Sequence, residues 1–222
     1  MTDRANARAE ILARIQTAIG TSSVPSAAES WQAIPRDYRQ RGTLNPSSCA
    51  TLLEDRLHDY GAGVHHTDAS QIASAVAAIL RERSKQRMLV PAGLGPTWLP
   101  EGFSFVSDDS LSYAEMDACD GVLTGCALAI ALTGTLVLCH GLMFPVEQIA
   151  GRRALTLVPD YHLCVVQASS VVETVPEAFH LLEPHRREPI TFISGPSATA
   201  DIEMTRIQGV HGPRTLDVLL VG

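Results

Sequence analysis

The sequence predicts an α/β fold: a three-layer α/β/α sandwich with a mixed sheet, preceded by an N-terminal helix. Three observations predict it. Short apolar runs recur and alternate with segments of helical period. Several of those runs are apolar at every position, as strands covered on both faces are. Consecutive apolar runs between Leu136 and Val172 lack an intervening helix, so some neighbours in the sheet are expected to be antiparallel.

The elements follow in order. Asp3 to Ile19 reads as a helix with Ile11, Leu12, Ile15 and Ile19 on one face and Gly20 as its stop. Such a face needs an apolar partner, and the helix fits an arm docked on the body or on a second subunit. Thr21 to Ser30 is rich in Ser, Ala and Pro and reads as a linker, and Trp31 to Gly42 is polar and irregular. Residues 1–44 are therefore set apart from an α/β domain over 45–222. Within that domain Ser47–Tyr60 reads as a helix ending at Gly61, and Val64–His66 as a short strand. Asp68 caps a helix carrying Ile72, Val76, Ile79 and Leu80. Met88–Val90 reads as a buried strand stopped by the loop Pro91 to Pro96. Phe103–Val106 follows as a strand and Asp108–Asp117 as a helix. Leu136–Cys139, Leu155–Val158, Leu163–Val166, Ile190–Ile193 and Leu216–Val221 read as strands, with helices over Thr174–Leu182 and Ala198–Ile207.

Composition bounds the function. Hydrophobic residues make up 45% of the 222, aromatics only 5%, so the core is aliphatic. The net charge of −7 and the single basic run Arg81, Arg83, Lys85 and Arg87 argue against a nucleic-acid partner. That run reads as the solvated end of a helix. The longest apolar stretch, Cys126 to Leu132, falls far short of the roughly 20 residues a membrane helix needs, so neither membrane insertion nor a secretory signal is expected and the protein is read as cytoplasmic. Cys49, Cys119, Cys126, Cys139 and Cys164 form no Cys-x-x-Cys pair and are expected as reduced, buried thiols. No metal or cofactor is expected in this chain.

Four segments can carry chemistry. Thr133-Gly134-Thr135 enters a strand through a glycine, either as a ligand loop or as a tight turn. Ser194-Gly195-Pro196-Ser197 with Thr199 leaves a strand for an expected helix N-terminus, where unpaired N–H groups favour a phosphate or carboxylate; Ser197 as a simple cap is the alternative. Asp201 and Glu203 are carboxylates two apart, which a helix turns to different sides. Gly209 to Arg214 brings His211, Gly212 and Arg214 into one turn: the histidine as acid, base or anion contact, the arginine as a fork for a carboxylate, or the whole as a structural turn. His211, Asp201 and Glu203 are the catalytic candidates. His65, His66, His180 and His185 read as surface residues, and His140 as either. No Gly-x-Ser-x-Gly, His-Glu-x-x-His or Gly-x-Gly-x-x-Gly motif is present.

The stretches Ala131 to Leu138, Gly151 to Asp160 with His162 and Val165-Val166, Ile193 to Glu203, and Gly209 to Pro213 resemble the LUD-domain family, type C of the lactate-utilisation proteins. The resemblance implies a fold like the ribose-phosphate isomerase, glucosamine-phosphate deaminase and CoA-transferase group. It also implies a part in organic-acid metabolism, namely oxidation of L-lactate to pyruvate beside partner proteins that carry iron–sulfur clusters. Many relatives carry Glu where this chain has Leu132, and an acidic residue where it has Ala127. A carboxylate there is the natural acid, base or nucleophile. Its replacement points to a subunit that binds rather than catalyses. The alternative is a stand-alone enzyme, isomerase-like or CoA-transferase-like, on a small phosphorylated or carboxylated metabolite.

Overall fold

The computed structural model describes residues 2–20, 25–140, 149–200, 206–208 and 212–222. The chain divides into two compact units, Met1–Tyr38 and Arg39–Gly222. The first holds α1 (Thr2–Ile19) and α2 (Ala27–Gln32). Gly20, at φ +76°, follows α1 in the left-handed conformation that suits glycine at a helix end. Ser26 and Glu29 close a reciprocal capping box on α2, and the Arg36 guanidinium stacks 4.6 Å over the Trp31 ring.

The second unit begins with a strap, Arg39–Leu44, clipped by one buried carboxylate. Glu173 accepts from the N–H groups of Thr43 and Leu44 and pairs with Arg39 at 2.7 Å, while Glu177 takes the Gly42 N–H. Then come α3 (Pro46–Asp59), β1 (Gly63–Thr67), α4 (Ile72–Glu82), β2 (Arg87–Pro91), β3 (Ser104–Asp108), α5 (Tyr113–Asp117), β4 (Gly121–Gly125), β5 (Leu128–Ile130) and β6 (Thr135–Cys139). They are followed by β7 (Tyr161–Gln167), β8 (Val171–Val172), α6 (Val175–Leu182), β9 (Ile190–Ile193), β10 (Ala198–Ala200), β11 (Arg206–Gln208) and β12 (Thr215–Val221). Local chemistry sets several starts: Asn45 caps α3 ahead of Pro46, and the Ser112/Glu115 and Thr174/Glu177 pairs are capping boxes on α5 and α6.

The α/β class is as the sequence predicts, but the strands sort into separate sheets. Six strands in the order β1-β12-β7-β4-β2-β3 form a wholly parallel sheet, and β8-β5-β6-β9 form a smaller one whose antiparallel pairs are β5–β6 and β6–β9. A further ladder joins β10 to β11. Side chains alternate across the parallel sheet. Leu163, Val165, Leu219 and Val221 face α4, which buries Ile72, Val76, Ile79 and Leu80 against them. Cys164, Val166, Val218 and Leu220 face α3 and the inner side of the small sheet, through Leu53, Leu57, Leu136 and Leu138. On the small sheet's outer side, α6 packs Ala178 and Leu182 on Leu128, Ile130 and Val137. Each aliphatic side chain buried in this way contributes about 1.5–3 kcal/mol. Among the described residues no helix is long and apolar enough to cross a membrane.

Asp217 pins the α4 side. Its fully buried carboxylate receives Arg83 Nε at 2.7 Å and Nη2 at 2.6 Å, and the Tyr161 hydroxyl at 2.9 Å. Burial pushes this carboxyl up, but the arginine and tyrosine hydrogen bonds outweigh that and hold it below the usual range. Arg83 is thus a structural partner. Arg81 and Lys85 lie over the Phe103 and Tyr161 rings, and Arg87 begins β2, so the basic run is not simply a solvated helix end.

Three further expectations are corrected. Leu155–Val158 is not a strand: Arg153–Thr156 makes a 3-10 turn that drops Leu155 into a cluster with Leu89, Met116, Cys119 and Val122, and Pro159 just beyond has no N–H for a ladder. Ala198–Ile207 is not a helix: Ala198–Ala200 pairs with Arg206–Gln208, Thr199 opposite Ile207, two β-branched residues suited to a ladder. The helix expected over Asp108–Asp117 is confined to Tyr113–Asp117, because Asp108 is the last residue of β3.

Candidate ligand-binding site

A cavity of about 340 Å³ opens between the two sheets. Its floor is His162 and Leu216, next to one another near the amino ends of β7 and β12. One wall is edge strand β9 with the turn that follows it, Thr191 to Ser197. The opposite side is the 3-10 turn, through Arg153, Thr156 and Leu157, and Gly212-Pro213 closes the end. The Ser197 N–H donates to the Pro213 carbonyl at 2.8 Å, which joins the two loops. Gly195 has φ +81°, and a Cβ there would stand 2.4 Å from Tyr60 Cβ, so only glycine lets this turn lie against the end of α3.

His162 is 1% exposed. Its Nε2 lies 2.8 Å from Thr124 Oγ1, while its buried Nδ1 has no hydrogen-bond partner among the described residues. Burial pushes the imidazole down to about 4, so it is neutral near pH 7. Its neighbour on the chain, Tyr161, points to the other face of the sheet and joins Asp217. Thr191, on the β9 wall, sits 2.9 Å from His140 Nε2, and His140 Nδ1 lies 2.7 Å from the Gly151 carbonyl. Burial lowers the His140 pKa against the opposing pull of the Gly151 bond, and the Arg153 charge lowers it further. Adjacent arginines part company. Arg152 is held by Asp108 at 2.5 and 2.7 Å, whereas Arg153 lines the cavity and makes no ion pair with any described residue. The site thus offers one exposed cation, hydroxyls, and a buried neutral imidazole with an unused nitrogen, a set suited to a small organic anion.

The structure brings some of the expected residues together. Ser194, Gly195, Ser197 and Gly212 line the cavity. Thr135 lies behind them, its hydroxyl 2.8 Å from both Ser194 Oγ and Thr133 Oγ1. Gly134, at φ +59°, abuts Arg56 of α3, so Thr133-Gly134-Thr135 is a turn that supports the wall from behind rather than a lining segment. Arg214 does not line it; its guanidinium lies 3.6 Å from Asp160 on the surface. Thr199 belongs to β10, so the anion-binding helix N-terminus expected after Ser197 is absent. His211, Asp201, Glu203 and Gly209 lie outside the described residues. Ala127 is buried under α6 and Leu132 is exposed, and neither reaches the cavity.

Comparison with known proteins agrees with this architecture. The LUD-domain family model matches residues 4–221. The chain belongs to the LUD-domain family. It is 41% identical over 221 residues to lactate utilization protein C of Deinococcus radiodurans, covering 98% of this chain and 97% of that one. It is 25% identical over 216 residues to lactate utilization protein C of Bacillus velezensis, covering 86% and 85%. A crystal structure of a DUF162 family protein from Deinococcus radiodurans superposes with a TM-score of 0.68 at 38% identity, covering 81% of this chain and all of that one.

Sequence reasoning misses His162, Thr191 and Arg153 as site residues. His162 carried a signal, a lone titratable residue heading the apolar run Leu163 to Val166. Thr191 and Arg153 carried none, since the pairing of β9 with β6 and the 3-10 turn place them.

Proposed function

We propose that this chain is a ligand-binding, non-catalytic subunit of an L-lactate utilisation system, in which L-lactate is oxidised to pyruvate together with iron–sulfur partner proteins. The observation that carries the reading is the cavity between the sheets, with Arg153 at its edge and the neutral His162 in its floor. A small carboxylate fits that set: the guanidinium takes the charge and the hydroxyl-rich wall the remaining oxygens. Membership of the LUD-domain family, and the name borne by the relative from Deinococcus radiodurans, connect such a ligand to lactate. The oxidation releases two electrons, which need an acceptor. Cys49, Cys119, Cys126, Cys139 and Cys164 are all buried in this chain and form no Cys-x-x-Cys pair, which gives a cluster no cysteine motif to bind here. The clusters are therefore assigned to partners, with this chain presenting the substrate.

Growth on L-lactate as the sole carbon source tests the assignment. A strain lacking the gene should fail to grow, the intact gene should restore growth, and Arg153→Glu should not, with the tagged chain bringing down cluster-bearing proteins. Normal growth of the deletion strain, or turnover of a small metabolite by the purified chain alone, would contradict it. The second outcome would instead favour the stand-alone enzyme.

A further inference from the structure

Strand β9 is an edge of the small sheet, and its hydrogen-bond phase shows which groups it leaves unused. The His140 N–H donates to the Pro189 carbonyl at 3.0 Å, one step beyond Cys139 opposite Ile190. Bonded pairs alternate along an antiparallel ladder, so Thr191 and Ile193 bond to β6, whereas Ile190 and Phe192 turn their N–H and C=O groups away from it. The far side of β6 agrees: the Val137 carbonyl, opposite Phe192, accepts from the Ala127 N–H at 2.9 Å and so points away from β9. Among the described residues no strand pairs with the outward side of β9. The other edges of the two main sheets are guarded: β8 has two residues, β3 ends in the Asp108–Arg152 pair, and β1 carries His65 and His66. β9 reads Ile-Thr-Phe-Ile, without a charge. Phe192 is 44% exposed and stacks on Phe179, 57% exposed, with ring centroids 5.7 Å apart.

We propose that β9 is a docking edge that takes an extended acidic segment of a partner protein as an added strand. This rests on the reading above, which gives the chain protein partners, and names where one of them binds. The backbone of the incoming strand pairs with Ile190 and Phe192, and its alternate side chains meet the two stacked rings. Charge chooses the occupant. Arg187, three residues before β9, and Arg153, across the cavity, are both exposed and make no ion pair with any described residue, while Glu188 is taken by His185 at 3.1 Å. On a chain of net charge −7, this edge carries unspent positive charge. A second copy docked antiparallel on β9 brings the Arg187 of each copy toward the cavity where Arg153 of the other stands, and like charges oppose that pairing. An acidic segment meets both arginines without the repulsion.

Fluorescence anisotropy on the purified full chain tests this, with a labelled peptide of alternating valine and glutamate as the probe and its lysine counterpart as control. The glutamate peptide should bind at least about tenfold more tightly than the lysine one, and less tightly as salt is raised. Its binding should slow amide hydrogen exchange at Ile190 and Phe192 and leave Thr191, already bonded to β6, unchanged. Phe192→Pro removes only an outward N–H and should weaken the peptide at least about tenfold, whereas Phe192→Val, which keeps that N–H, should bind far better than the proline variant. Arg187→Glu, a surface change, should shrink the preference for glutamate over lysine. No binding of the glutamate peptide, equal binding of both peptides, or binding without slowed exchange at Ile190 and Phe192 would overturn the proposal. A free chain that sediments as a dimer, and as a monomer in Phe192→Pro, would overturn it in favour of a second copy. Any of these results leaves the lactate reading standing, since that reading falls only if a strain lacking the gene grows normally on L-lactate.

Discussion

The buried imidazole of His162 makes the protein acid-sensitive in a calculable way. In the folded chain its pKa is pushed down to about 4, against 6.5 for an unburied histidine. Between those values the unfolded chain binds a proton that the folded chain does not, so stability falls as pH falls through this window and is fully present above it. From pH 7 to pH 5 the linkage amounts to about 2 kcal/mol for this one group, and over the whole interval to about 3 kcal/mol. His140, also lowered by burial, acts in the same direction, so the wild-type slope alone does not isolate His162. His162→Gln does. Glutamine can still meet Thr124 Oγ1 and does not titrate. Urea unfolding at pH 7 and pH 5, followed by circular dichroism, should show the variant losing about 2 kcal/mol less than the wild type over that range. Equal losses would mean that the imidazole is solvated or protonated in the native state, and the account of the cavity floor would be wrong.

Three other predictions concern the frame around the site. Arg83→Leu strips the buried Asp217 of its two charge-assisted hydrogen bonds and should cost about 3 kcal/mol in urea unfolding, whereas Tyr161→Phe, which removes one neutral donor, should cost about 1–2 kcal/mol. Gly195→Ala forces a side chain into a left-handed turn and against Tyr60, so thermal melting should show a loss of about 2 kcal/mol or more, and L-lactate binding should weaken because the β9 wall moves. Glu173→Gln removes the charge that clips residues 39–44; limited proteolysis should then cut the strap faster than in the wild type, and unchanged cutting would show that the clip is not what holds it.

Much of the architecture was legible in the sequence because burial on both faces leaves a pattern that needs no partner to interpret. Met88–Val90 and Leu163–Val166 are apolar runs, Leu216–Val221 is apolar except at Asp217, and each is a strand of the parallel sheet. The period of Ile72, Val76, Ile79 and Leu80 gave α4 for the same reason. What was not legible depends on pairing. Gly121–Gly125 is bounded by glycines and contains one threonine, and only its place between β2 and β7 makes it a strand. Residues 198–200 and 206–208, after a serine that could cap, fit a helix as well as paired strands until Thr199 stands opposite Ile207. Antiparallel neighbours do occur, in β5–β6 and β6–β9, but that they form a second sheet apart from the parallel one is decided by the long-range pairing of β6 with β9.

The candidate site divides in the same way. Ser194 to Ser197 and Gly212 were visible as glycine-bearing turns, and they do line the cavity. His162 stood at the head of a buried run, but its ring nitrogen without a partner among the described residues is something sequence does not display. Thr191 gains its role from His140, 51 positions away along the chain.

The most direct test of the central claim is a crystal structure of the chain grown with L-lactate. The account predicts the acid in the cavity between the sheets, with its carboxylate on Arg153. An empty cavity at saturating L-lactate, or the acid bound elsewhere on the chain, would contradict it.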